Sequence, residues 1–469
     1  MNAKPTITLA DAQAAGVPPG TRRGACPSLA APMATGDGLL VRLRPEGGAL
    51  SLAALAALGQ AADRFGNGRL DVTARGNLQV RGLRPDTVDG FAAALDDAGI
   101  AVESGTAIEV PPLAGIDHSE RADPRPLAAE LKIASRAVSL APKLTVIVDG
   151  GGWLSLSDQS ADLRLEAVSA VAWRLALAGT AATAQPIAIV DAAQAVEAVR
   201  ICFAALASLG PASRGRDLDP AFLQRTVLSE CLAQPVPQTA PASAAKGVRM
   251  GKPIGRLDIP GCPALGVAPA FGQMRAEALM GLAELAARFG VDAIRPVAGR
   301  ALLMTGPLLQ DADTLARCAA ELGFSADAAD PVHRIAACTG RAGCASGGLD
   351  TQAAARRVLA AAPSLFDGSL DLHLSGCAKG CARPAPAGLV LVATPSGKGL
   401  VVGGTASSRP IGYQEEGRLG EAMSTLAGLV EAEKQVGESV AACLKRLEPE
   451  RIAAVFSRGG PEAGLPRQD

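Results

Sequence analysis

The chain repeats itself. "LGQAADRFGNGRLDVTARGNLQVRGL" from Leu58 aligns without a gap on "LAELAARFGVDAIRPVAGRALLMTGP" from Leu282, setting Arg64 on Arg288, Phe65 on Phe289, Leu78 on Leu302 and Gly82 on Gly306. A repeat this long is no solenoid unit. It predicts two copies of one module facing each other across a pseudo-twofold axis. Upstream, Cys26-Pro27-Ser28-Leu29 reads as the counterpart of Cys262-Pro263-Ala264-Leu265. In the first copy "GLLVRLRPEGG" predicts a strand, "SLAALAALGQAADRFG" a helix with Ser51 as N-cap, "RLDVTARGNLQVRGL" a strand, and "TVDGFAAALDDAGI" a second helix ending at Gly99. That β-α-β…α order predicts a ferredoxin-like α+β module.

At 469 residues the chain exceeds one ordinary core. After a loose arm, the expected divisions are a ferredoxin-like module at 20–115, an α/β lobe at 116–232, a Pro-, Ala- and Ser-rich linker at 233–247, a second module at 248–328 and a second α/β lobe at 329–458. Helix "RPLAAELKIASRAVSL" and strand "KLTVIVDG" belong to the first lobe. A net charge of -1 without a basic block argues against a general nucleic-acid or membrane-surface partner. The longest uncharged run, "LALAGTAATAQPIAIV", contains Pro186, is short for a membrane span, and reads as buried helix-to-strand. Ten cysteines without extracellular spacing, and a polar start, predict a reducing cytoplasm.

The two copies differ where chemistry is expected. Arg75 falls opposite Gly299, and four clustered cysteines belong to the second half alone: Cys338 and Cys344 in "ACTGRAGCASGG", Cys377 and Cys381 in "LHLSGCAKGCARP". C-x5-C followed by C-x3-C, with a helix, a turn and an apolar strand between, delivers four thiolates from two loops to one point, as a cubane iron–sulfur cluster requires. C-x5-C is too wide for the usual zinc knuckle; zinc and unligated thiols are the alternatives. Lys379 between the last two cysteines either favours the reduced cluster or is a solvated loop residue. Cys202, Cys231, Cys318 and Cys443 are scattered and read as core residues.

The first half carries the basic groups. Alternation places Arg42 and Arg44 on one face of a strand, and Arg75, Asn77, Gln79 and Arg81 on one face of another. Such a face suits a ligand with many carboxylates; a charged, solvated sheet surface is the plain alternative.

These features together resemble the sirohaem-type sulfite and nitrite reductase family, over about residues 20 to 455. The residues that carry the resemblance are the duplicated modules, T-x-R-x-N-L-Q at Thr73–Gln79, and the four cysteines. It implies an internally duplicated α+β fold in which two ferredoxin-like modules and two α/β lobes surround a tetrapyrrole, with a 4Fe-4S cluster on Cys338, Cys344, Cys377 and Cys381 beside it. Arg75 matches the arginine of the family's T-x-R-x-x-x-Q strand, Arg42 or Arg44 an upstream arginine, and Lys143 of "APKL" the first lysine of a basic loop. Thr145 stands where sulfite reductases carry a second lysine, and Ala378-Lys379 replaces the usual Pro-Asn. "SGCAKGCARP" and the reduced anion pocket resemble a branch in which the tetrapyrrole is the substrate.

That branch implies a monooxygenase of aerobic cobalamin biosynthesis that hydroxylates precorrin-3A at C20 with dioxygen and two electrons, a ring-A acetate closing a γ-lactone. It also implies a mononuclear non-haem iron. A facial iron site takes two His and a carboxylate, and the chain has His118, His333 and His373; the plain reading of each is a packed or hydrogen-bonded histidine rather than a ligand. "VDGGGW" and "VVGGTA" lack the G-x-G-x-x-G order, so electrons are expected from a separate ferredoxin or NADH-dependent reductase. The rival readings are a sirohaem-dependent assimilatory sulfite or nitrite reductase and a non-catalytic electron-transfer subunit.

Overall fold

Ser51 caps the helix Leu52–Phe65 as expected, its Oγ accepting from Ala54 N at 3.2 Å. Leu55, Leu58 and Ala62 recur at helical spacing and are fully buried. They pack on the repeat of the same helix, Ala276–Arg288, which contributes Leu279, Leu282 and Ala286 to the same core. The computed structural model describes residues 27–231, 233–236, 253–259, 261–306 and 309–458. The N-terminal arm, Cys26 and linker residues 237–247 lie outside the described residues.

The stretch predicted as one strand is a hairpin. Strands Arg69–Val72 and Leu78–Leu83 are joined by a turn in which Thr73 N donates to Asn77 O at 2.8 Å and Gly76 N to Thr73 O at 3.0 Å. With strand Gly38–Leu43 and helix Val88–Asp97 the copy reads β-α-β-β-α. The repeat holds element by element and without a gap: Gly38–Leu43 answers Cys262–Pro269, Arg69–Val72 answers Ala293–Val297, and Val88–Asp97 answers Ala312–Glu321. This corrects the upstream match. The counterpart of Cys262 is Gly38, and Pro27–Leu29 lie in no strand.

The copies also exchange strands. The first sheet runs Met33–Thr35, Gly38–Leu43, Leu78–Leu83, Arg69–Val72 and then Gln273–Arg275 from the second copy; the second ends on Leu50–Ser51 from the first. The two borrowed strands are counterparts, each preceding its copy's long helix, so the exchange obeys the pseudo-twofold axis.

The lobes are duplicated too. The first orders Ala107–Glu109, Thr145–Asp149, Ala161–Ala167, Ala172–Gly179 and Gln185–Asp191; the second orders Ile335–Ala337, Leu372–Ser375, Ala387–Thr394, Gly397–Gly404 and Gly412–Gln414. In both, the first two pairings are parallel and the last two antiparallel. Ala107–Glu109 already belongs to the lobe sheet, so the first module ends before residue 115. The long uncharged run is the antiparallel pair Ala172–Gly179 and Gln185–Asp191, in place of the expected helix-to-strand. Among the described residues one helix, Ala192–Leu209, is long and apolar enough to cross a membrane; Asp191 caps it and Ala195, Val199, Cys202 and Phe203 lie in the first lobe's core.

Candidate functional site

Arg75 and Asn77 sit in the hairpin turn, and only Gln79 and Arg81 share the strand that was expected to carry all four. The turn meets its own repeat at the axis. Arg75 pairs with Ala298 in an isolated antiparallel bridge, and Gly299 N donates to Ala74 O at 3.0 Å. A Cβ on Gly76 (φ 76°) would come within 2.6 Å of the Val297 carbonyl carbon, so two backbones this close require glycine there. Ala74-Arg75-Gly76 is thus answered by Ala298-Gly299-Arg300: the second copy keeps its arginine one position later. The two side chains serve opposite lobes. Arg75 donates to Thr145 Oγ1 at 3.4 Å and to Ser160 O at 3.3 Å, with Glu109 at 4.0 Å, while Arg300 donates to Ala382 O at 2.5 Å, next to Cys381.

Across the first sheet Arg42, Gln79, Asp71 and Gln273 stand in register as one polar row. With its amide oxygen turned to Arg42, Gln79 accepts from Nη2 at 2.9 Å and Nε at 3.2 Å. At the far end of the row Gln273 bonds to Gln352 of the second lobe's helix Thr351–Ala361. The polar face therefore lies against the cysteine-bearing lobe.

Arg81, expected to face a ligand, is buried. It grips Asp37 through Nε (3.0 Å) and Nη2 (2.9 Å), donates to Gly343 O at 2.6 Å and stands 3.6 Å from Asp71. Removing one partner of such a buried pair strands the other charge, at a cost of about 3–5 kcal/mol. Arg81 ties the first module to the loop between Cys338 and Cys344. Burial pushes Asp71 up to about 6, against the pull of Arg81. Arg44 is engaged by Glu103 at 3.6 Å, and Lys132 shares that carboxylate at 3.8 Å. Burial raises the Glu109 carboxyl above its ordinary value although Arg75 and Arg44 oppose the shift. Lys143 lies in the loop that supplies Thr145, whose Oγ1 contacts Lys143 O at 3.5 Å.

The cysteines stand at the ends of adjacent parallel strands. Cys338 follows Ile335–Ala337, and Cys377 follows Leu372–Ser375, its neighbour in register. The two loops are laced together: Cys338 N donates to Leu374 O (3.3 Å), Gly348 N to Gly376 O (2.8 Å), and Lys379 Nζ to Ser346 Oγ (3.4 Å). Gly376 N points at Cys338 Sγ, 3.3 Å away, as amides do toward cluster-bound sulfur. Burial raises the Cys338 thiol, and N–H groups of Gly376 and Gly340 oppose that; a bound metal would reverse the balance. Cys338, Cys344 and Cys377 are half-buried and Cys381 is exposed. The donor set, the facing loops and the amide aimed at sulfur fit a cubane cluster, although no three His, Cys, Asp or Glu side chains among the described residues are gathered as ligands. In the first lobe the matching turn is Gly150–Gly152, without cysteine.

The structure does not join the histidines. His118 is exposed against Gly261, His333 lies in the turn Pro331–Arg334, and His373 is fully buried on Leu372–Ser375. They do not form the facial set that a mononuclear iron takes. Sequence reasoning missed Arg300, whose only local signal is the transposition of "ARG" into "AGR".

A family model described as the nitrite/sulfite reductase ferredoxin-like half domain matches residues 31–98. A curated precorrin-3B synthase from Sinorhizobium sp is 46% identical over 453 residues, covering 95% of this chain and 97% of that protein. Among solved structures, the Mycobacterium tuberculosis NirA protein aligns with a TM-score of 0.65 over 88% of this chain and 84% of its own, at 21% identity, a likeness of fold.

Proposed function

Because this chain belongs to the precorrin-3B synthase family, we propose that it converts precorrin-3A to precorrin-3B in aerobic cobalamin biosynthesis. The near full-length identity to that synthase carries the reading. One oxygen atom of dioxygen enters at C20, a ring-A acetate closes the γ-lactone, and two electrons with two protons reduce the other oxygen atom to water.

The chain's own residues hold the macrocycle. Arg42, Gln79 and Arg75, with Lys143 beside Thr145, would grip its carboxylates from the first half, a role that their shared polar surroundings support. Asn77 shapes the turn that presents Arg75, its backbone N–H bonded to Thr73 Oγ1 at 3.0 Å. Arg44, held by Glu103, and Arg81, held by Asp37, support the site from behind. Cys338, Cys344, Cys377 and Cys381 would hold a 4Fe-4S cluster, which supplies electrons one at a time when bound. The mononuclear iron implied by the resemblance is assigned none of the three histidines. Electrons reach the protein from a ferredoxin or an NADH-dependent reductase, in a reducing cytoplasm.

Thr145 weighs against a sirohaem-dependent sulfite or nitrite reductase. The residue that replaces a cationic lysine accepts a hydrogen bond from Arg75, which a lysine would repel. Protein prepared without air, analysed for iron and sulfide and then given precorrin-3A, an electron donor and labelled dioxygen, tests the assignment. Label in the product and a broad cluster spectrum are expected. Haem-type bands with reduction of sulfite or nitrite would overturn it.

A further inference from the structure

His373 is a fully buried imidazole whose two ring nitrogens have no hydrogen-bond partner among the described residues. Its strand neighbours Leu372 and Leu374 point into the second lobe's core, so alternation turns His373 to the other face, between Ala336 and Val390, which offer no side-chain acceptor. What the ring does meet is the C-x3-C loop. Gly380, at φ 60°, lies between Cys377 and Cys381, and a Cβ there would stand 3.6 Å from His373 Cε1, the carbon flanked by both nitrogens. The absent side chain leaves the imidazole edge facing the loop.

Burial and the neighbouring cations both favour the neutral ring. Burial first, then Arg383 and Arg300, push His373 down to about 4. Asp371, a nearby carboxylate, is taken by Arg383 at 3.0 Å and Arg334 at 3.5 Å. A neutral imidazole carries one N–H, and a buried donor left unmatched is costly. The structure therefore holds a buried donor beside the loop of two cluster cysteines, with no acceptor among the described residues.

We propose that His373 donates its ring N–H to a sulfur of the cluster at the C-x3-C loop, so that it is a positioning residue that raises the cluster's reduction potential and is not itself an iron ligand. The inference rests on the cluster reading above. A hydrogen bond to sulfur favours the more anionic, reduced cluster. Removing the donor therefore drives the potential down.

The test uses the full chain, reconstituted without air, with the potential followed by paramagnetic resonance during a redox titration. His373→Leu is expected to keep its iron and sulfide content, shift to a more negative potential, and lose a proton coupling that exchanges in heavy water; His373→Gln, which retains a donor, is expected to fall between. A cluster of unchanged potential and unchanged proton coupling in His373→Leu would overturn the proposal. Should that variant fail to fold, wild-type protein carrying isotopically labelled histidine decides: a weak nitrogen coupling supports the hydrogen bond, whereas no coupling, or the strong coupling of a bonded nitrogen, defeats it. Wild-type protein without iron and sulfide would sink the cluster reading first, a failure that metal analysis distinguishes.

Discussion

The substrate-gripping role proposed for Arg75 is the one most open to test. Its guanidinium is held by two oxygens and a distant carboxylate, yet 48% of its side chain stays open. Arg75→Ala is expected to weaken tetrapyrrole binding at least tenfold, about 1.4 kcal/mol, in an equilibrium titration; unchanged affinity would take the turn out of the site. Glu120 gives a pH signature. Burial pushes its carboxyl from 4.5 up to about 7, the Gly115 N–H at 2.7 Å opposes the shift, and Asp117, Asp123 and Asp149 add to it. The folded chain then holds this proton more tightly than the unfolded chain, so the contribution is full below about pH 4.5 and is lost as pH rises through about 7. Glu120→Gln should gain thermal stability over the wild type as pH goes from about 5 to 8, and a pH-independent difference would refute this. Spacing in the sequence was enough to single out the four cysteines and the T-x-R-x-N-L-Q stretch, because those signals are local. Arg300 reaches Ala382, 82 positions on, and His373 is buried between strands Ile335–Ala337 and Ala387–Thr394, so both depend on contacts that nearby spacing does not encode.

At the scale of elements, the helices were readable where cap and period agreed, as at Ser51 and Leu55–Leu58–Ala62. The hairpin was hidden because alternation continues through Thr73–Asn77, although Gly76-Asn77 was a turn signal. The alanine-rich run became two strands because the neighbouring Ala161–Ala167 strand offers a ladder, and context outweighs a weak propensity. Gly59 lies where the two repeated helices pack together: a Cβ there would stand 2.7 Å from Met280 Cγ and 3.2 Å from Ala276 O. The methionine can yield and the carbonyl cannot. Gly59→Leu is therefore expected to cost about 1–3 kcal/mol, measured by urea denaturation, and a cost near zero would mean that the helices part easily.

At the scale of the whole molecule, the duplication was visible in the sequence while the strand exchange was not, since nothing in Leu50–Ser51 names the sheet it will join. The exchange makes each half incomplete. Residues 27–232 alone would lack Gln273–Arg275 and would expose the helix face of Leu55 and Leu58. That fragment is expected to aggregate or remain unfolded by circular dichroism, and to be rescued by co-expression with the rest of the chain. A stable, monomeric first half would contradict this.

Synthesis adds a delay to the same arrangement. Arg69–Val72 leaves the ribosome long before Gln273–Arg275, the strand that covers its outer edge. At 5–20 residues per second the interval from Leu83 to Gln273 is roughly ten to forty seconds. Throughout that time a bare ladder of amides and carbonyls is offered to any passing chain. The nascent protein is therefore most vulnerable to mispairing midway through translation, and the later copy acts as a shield that arrives last.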